Sequence, residues 1–200
     1  IDTGWIGRYL NYEFPNFPVG YPNATMPDPL AIQIGGIASL TTHGPTMSMA
    51  MSITNPTSFY RIVDDMQDPA PATRAGKELT YIREVARQTE IFSDAIKKAA
   101  TKTTQQLPYP ENNELADQLK IVARLIKGGL KTRVYMVSYG GFDTHSMQTD
   151  ATDTTIGKHA DLMRILSDAM KAFQDDLSFL GVEDRVLSFT FSEFGRRIKF

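Results

Sequence analysis

Arg133-Val134-Tyr135-Met136-Val137-Ser138-Tyr139-Gly140-Gly141-Phe142-Asp143-Thr144-His145 is the stretch on which the fold reading turns. β-Branched and aromatic residues fill its first half, the composition of a strand, and two glycines end it. An acid and an imidazole follow at once, the side chains that divalent metal sites recruit most often. Further along the pattern nearly repeats. Val186-Leu187-Ser188-Phe189-Thr190-Phe191 is again strand-like and opens into Ser192-Glu193-Phe194-Gly195-Arg196-Arg197.

Between the two runs the spacing predicts a helix from about Gly157 to Leu180. Leu162, Leu166, Ala169, Met170, Phe173 and Leu177 form its inward stripe, and Gly181 stops it. Strand, helix, strand is the βαβ unit, whose two strands lie parallel in one sheet. Parallel strands finish on one edge, where open α/β sheets bind their ligands, so Asp143, His145 and Glu193 are expected there together. The crossover helix begins at that edge too and brings His159 in its first turn. Oxygen and imidazole donors suit zinc, manganese or iron, and Arg196 and Arg197 are candidates to hold an anionic group. A metal with an open position activates water and neutralises charge on a phosphoryl or similar centre. The same residues have a plainer reading: Asp143 caps a turn, His145 and His159 are ordinary polar histidines, and Glu193 pairs with Arg196 or Arg197.

Composition narrows the chemistry. Two hundred residues with 42% hydrophobic content suffice for one α/β domain with a buried core. A formal net charge of -2 without long runs of either sign offers no nucleic-acid or anionic-membrane surface. No apolar run is long enough to span a bilayer. Cysteine is absent and there are three histidines, so a metal site here must draw most of its ligands from carboxylates.

Working back from the central stretch, Asn112 or Asn113 is expected to cap a helix bearing Leu115, Leu119, Val122, Ala123 and Ile126, stopped by Gly128-Gly129. Thr73 is expected to cap a longer one with Leu79, Ile82, Val85, Ala86, Thr89, Phe92 and Ile96 on its inner face. Residues 30–53 read as a small antiparallel β-hairpin insertion, with Thr42-His43-Gly44-Pro45 as turn chemistry. Its methionine row, Met47, Met49 and Met51, reads as core filling rather than a copper site. Asn11 to Pro29, rich in Pro, Asn and aromatics, reads as an irregular but ordered wrap. The chain opens abruptly on Ile1-Asp2-Thr3-Gly4-Trp5-Ile6, core-like residues that look cut from something longer.

Gly4-Trp5-Ile6-Gly7-Arg8-Tyr9-Leu10, Gly140-Gly141-Phe142-Asp143-Thr144-His145 and Phe191-Ser192-Glu193-Phe194-Gly195-Arg196-Arg197 together resemble motifs of the bacterial family labelled "domain of unknown function 1501". Ala172-Phe173 and Asp176-Leu177 in the intervening helix add to the likeness. The resemblance implies a parallel-sheet, three-layer α/β/α fold of the alkaline phosphatase or sulfatase type, of which residues 1–200 would be the middle part. It also implies an exported, periplasmic protein made with a twin-arginine signal. Two divalent metals, zinc or manganese first and calcium as a further option, would sit at the strand ends, with Asp143 and His145 as ligands of one. Relatives generally carry Trp where this chain has Phe142. They place an Asp-His pair where it has Glu193-Phe194, so the second metal site is incomplete. The family's earlier acidic strand end, its later Gly-Thr-Asp-His-Gly motif and the expected nucleophile are not in this sequence.

The function expected from the resemblance is a fragment of an exported metal-dependent hydrolase of phosphate or sulfate esters, acting on a small-molecule or polymer-borne anionic ester. The alternative is a non-catalytic exported binding protein of the same fold, motivated by Phe194, the missing nucleophile and the aromatic stretch from Tyr12 to Tyr21.

Overall fold

The computed structural model describes residues 3–36, 38–57, 70–145 and 148–192. The chain is a mixed α/β protein built on a three-stranded parallel sheet. In chain order the elements are helix α1 (Trp5–Glu13), strand β1 (Ala31–Ile34), a 3-10 turn at Leu40–Thr42, strand β2 (Ala50–Ile53), and helices α2 (Arg74–Lys102) and α3 (Glu114–Lys127). Strand β3 (Val134–Met136), helix α4 (Lys158–Phe179) and a second 3-10 turn at Glu183–Arg185 follow.

The sheet order is β2-β1-β3, with Ile32 opposite Met51 on one side and Tyr135 on the other. The expected antiparallel hairpin over 30–53 is therefore corrected: β1 and β2 run parallel. The reason lies in burial. All four residues of β1 are buried, as befits a central parallel strand covered on both faces, whereas a hairpin insertion would leave one face to water. The two serines near and in β2 are satisfied by backbone carbonyls. Ser48 is buried and donates to the Ala50 carbonyl, and Ser52 Oγ donates to the Gly35 carbonyl. The Thr42-to-Pro45 turn chemistry is used locally, where Gly44 N donates to Met47 O and Met49 N donates to Thr42 O.

Each face of the sheet has its own core. Ile32, Ile34, Met51 and Ile53 pack with α2, α3 and α4, centred on Ile96, Leu125 and Leu177. Ala31, Ala50 and Met136 pack on the other side with Ile6 and Leu10 of α1 and with Phe17 and Met26 of the wrap. The opening segment, given no element from its sequence, is thus a helix that closes the second core. Of the wrap expected over Asn11 to Pro29, residues 11–13 belong to α1 and the rest is irregular; its buried Asp28 accepts from Lys131 N at 2.7 Å, tying it to the entry of β3.

The helix punctuation follows local chemistry. Thr73 Oγ1 accepts from Gly76 N and Asn113 Oδ1 from Ala116 N, each satisfying an otherwise orphaned amide at a helix start. Gly129 and Gly181 take positive φ where α3 and α4 end. The inward stripe of α3 is buried throughout, from Leu115 to Ile126. In α4 the stripe holds at Leu162, Ala169, Phe173 and Leu177, but Met170 is exposed and Asp176 is fully buried in its place. On α2 Phe92 and Ile96 are buried, while Ile82, Val85 and Thr89 have side chains outside the description.

Asp176 anchors the connector between α2 and α3. It accepts from Leu107 N at 2.9 Å, Gln106 Nε2 at 2.9 Å and Tyr109 Oη at 3.0 Å. Burial, reinforced by the Asp176 charge, pushes the Tyr109 hydroxyl far above its usual pKa of about 10. Burial raises Tyr135 likewise. Both phenols keep their protons in the folded chain at pH values where the unfolded chain gives them up. Their contribution is present in full below pH ~10 and is lost as pH rises beyond it. Urea midpoints compared at pH 9 and pH 11 are expected to fall, and to fall less for Tyr109→Phe.

Residues 186–191, expected as the strand that completes the βαβ unit, form no strand among the described residues. Glu193, Arg196 and Arg197 lie outside the described residues.

Candidate functional site

Because the three strands are parallel, their carboxyl ends share one edge. β1 ends in Gly35-Gly36, β2 in Thr54 and β3 in Val137-Ser138. Helix α3 runs antiparallel to the strands and begins at this edge, where Gln118 clamps the chain leaving β3. Its Nε2 donates to Ser138 O at 2.9 Å, and Ser138 N donates to its Oε1 at 3.0 Å. A cleft of about 450 Å3 opens there, lined by Gly35, Gly36, Thr54, Glu114, Asp117 and Ser138 among others.

The loop from Tyr139 to His145 runs on from this clamp. Gly141 has φ +93, and a Cβ there would stand 3.3 Å from Leu162 Cδ2, so the loop lies directly against the start of α4. Tyr139 and Phe142 meet edge to face at 5.6 Å, and Phe142 meets His159 at 6.3 Å. Thr144 is buried and its amide donates to Phe142 O at 2.9 Å. Asp143 and His145 flank it and turn outward together. His145 Nε2 stands 3.2 Å from Asp143 Oδ2, with the two side chains 81% and 68% exposed. His145 holds φ +47, a left-handed conformation that a non-glycine residue adopts at some cost.

The sequence-predicted residues thus divide. Asp143 and His145 are brought together. His159 reaches the same loop but meets Phe142 edge to face. Among the described residues, no three His, Asp or Glu side chains gather as a metal-ligand set. His43 has a local role, its Nδ1 lying 2.8 Å from Gly44 O.

A carboxylate and an imidazole are donors of the kind a divalent ion takes, and their 3.2 Å separation is equally that of an ordinary His–Asp ion pair. Two donors are fewer than such an ion takes.

The loop before α4 is self-contained. Asp150 accepts from Thr152 Oγ1, Thr152 N and Asp153 N, and Asp153 accepts from Thr155 Oγ1 and N. The threonine hydroxyl bonds, helped by these amides, hold both carboxyls below their usual range.

Sequence reasoning missed the cleft, with Glu114 and Asp117 at its rim and Gln118 as its clamp. The signal was Gly35-Gly36, a second double glycine directly after an apolar run. Assigning that run to a hairpin hid it, because only a parallel partner sends both glycine pairs to one edge.

No helix among the described residues is long and apolar enough to cross a membrane. No match is found among curated proteins or among solved structures. One family model does match, over residues 49–200. That is well over half of the 200-residue chain, which therefore belongs to the family described as "Protein of unknown function (DUF1501)".

Proposed function

We propose that the chain is part of an exported metal-dependent hydrolase of phosphate or sulfate esters, with an alkaline phosphatase-like three-layer core. The observation that carries the reading is the Asp143–His145 pair, 3.2 Å apart, on a loop that leaves the carboxyl end of a parallel strand. In this reading Asp143 and His145 hold zinc or manganese, with calcium as a further option. His159 and Glu193 supply further ligands, and Arg196 and Arg197 grip the ester's anionic oxygens in bidentate fashion. The metal, when bound, supplies Lewis acidity at the ester and a water acidic enough to ionise near neutral pH. Glu114 and Asp117 make the neighbouring cleft repel a free anion. An anionic ester is therefore held only where cations outweigh them, which gives the arginines and the metal their role.

Manganese binding, followed by electron paramagnetic resonance, is expected to weaken roughly 100-fold in Asp143→Ala and in His145→Ala. Equal binding in all three proteins sinks the metal assignment. Hydrolysis of an aryl phosphate or aryl sulfate, stimulated by the same metal and lost in Glu193→Gln, is the expected activity of the full-length protein.

One observation favours the second reading, a non-catalytic exported binding protein. Trp5, Tyr9 and Tyr12, spaced along one side of α1, are all exposed, as on surfaces that stack against polymers. Binding of a surface polymer without ester hydrolysis, weakened by Tyr9→Ala and Tyr12→Ala, would select it.

A further inference from the structure

β3 bonds to β1 along one edge only, so alternate backbone N–H and C=O groups face its other edge, where no strand pairs with them among the described residues. A cavity of about 250 Å3 lies along that edge, and its far wall is made by residues 186–191. Tyr135 Oη and Thr132 Oγ1, both on the cavity wall, are buried without a hydrogen-bond partner of good geometry.

Residues 186–191 have the composition of a strand. Their β-branched and aromatic residues have strand propensity, and Val186 already has extended dihedrals, φ -124 and ψ 122. Leu187, Phe189 and Phe191 nevertheless stand 88%, 60% and 55% exposed. The two faces of the segment are already sorted. Phe189 and Phe191 lean on Trp5 of α1, with ring centroids 6.0 and 5.8 Å away. Val186 packs on the opposite core, with the three long helices. β3 is sorted the same way, Val134 and Met136 toward α1, Tyr135 and Val137 toward the helices. Direction agrees as well: Lys127 at the end of α3 bonds to Leu180 O at the end of α4, so the chain re-enters from the amino end of β3.

We propose that residues 186–191 are a fourth strand that closes in parallel onto the free edge of β3, with Leu187, Phe189 and Phe191 on the α1 face and Ser188 and Thr190 on the face of Tyr135. Closure fills the cavity, pairs the open edge and sets the Ser188 hydroxyl on the side of the unpartnered Tyr135 hydroxyl. It also sets Phe191 at the sheet edge from which the Asp143 loop departs. The inference rests on packing alone and stands whether or not the site binds a metal.

The chain has no native cysteine, so engineered pairs report parity cleanly. Adjacent strands lie ~4.8 Å apart, within disulfide reach. Mild oxidation is expected to close Tyr135→Cys/Ser188→Cys or Val137→Cys/Ser188→Cys within one chain, at least tenfold faster than the opposite-face pair Met136→Cys/Ser188→Cys. Equal rates for all pairs, or disulfide-linked dimers in place of intrachain closure, overturn the proposal; the second result would assign the edge to another copy. Hydrogen exchange on the unsubstituted protein tests it independently of any variant's folding. Alternate amides in 186–191 are expected to exchange at least 100-fold slower than an unstructured chain, and uniform fast exchange refutes closure.

Discussion

Asp176→Ala is expected to lower the unfolding free energy by about 3–5 kcal/mol, because three buried neutral donors lose their shared acceptor. Asp176 sits fully buried in α4, yet the donors that hold it come from a connector far away in sequence: Gln106, Leu107 and Tyr109. Removing the carboxylate leaves an amide N–H, a side-chain amide and a phenol without that acceptor, each costing about 1–3 kcal/mol if it stays dry. The cavity left behind adds to this. Asp176→Asn preserves the volume but turns an amide NH2 toward groups that themselves donate, and is expected to lose about half as much. Urea denaturation followed by circular dichroism checks both. A loss below about 1 kcal/mol for the alanine variant would mean that water already reaches the cluster. The connector would then be held by its apolar contacts instead.

Gly7→Ala is expected to destabilise by about 2–3 kcal/mol although alanine is the better helix former. A methyl group there gains about 1 kcal/mol of helix propensity. It would also stand 2.1 Å from the His43 carbonyl oxygen and 2.3 Å from its carbon, with Gly44 N at 2.7 Å. These are backbone atoms of the turn on which α1 rests, and they cannot swing aside as a side chain does. Relief requires α1 to lift off the second core, and such overpacking typically costs about 1–3 kcal/mol, more where backbone must move. Gly4 one turn earlier is as tight, its Cβ position lying 2.0 Å from Thr41 O, while Gly4 N donates to His43 O at 2.8 Å. Trp5 is the only tryptophan, so its fluorescence reports on α1 directly. An unchanged or higher midpoint for Gly7→Ala would contradict the close seating of the helix on the 40–44 turn.

Much of the skeleton was legible because its causes are local. Thr73 and Asn113 cap their helices, glycines end α3 and α4, and the apolar stripes of α3 and α4 face inward, since capping and periodicity act within one or two turns. The errors fall where partners are distant. Residues 47–53 alternate apolar and small polar side chains as a hairpin strand would, and nothing in that stretch reveals that Ser52 is satisfied by Gly35 O or that β3 arrives to make β1 central. Asp176 carries part of the family likeness, but its burial depends on donors some seventy positions earlier. Gly4 and Gly7 carry the same resemblance, without a hint that they make room for a carbonyl.

For the candidate site, the sequence by itself determined the chemical types: an acid and an imidazole beyond a strand-ending glycine pair, with no thiol to compete. It also determined that α4 starts beside them, because a helix crossing back from a parallel strand has no other place to begin. Only the tertiary structure decided that Asp143 and His145 face each other across 3.2 Å while His159 meets Phe142 edge to face. It alone decided, too, that Glu114 and Asp117 at the start of α3 share the sheet edge with them. Those relations depend on where parallel strands and helix starts converge in space, which spacing along the chain does not encode.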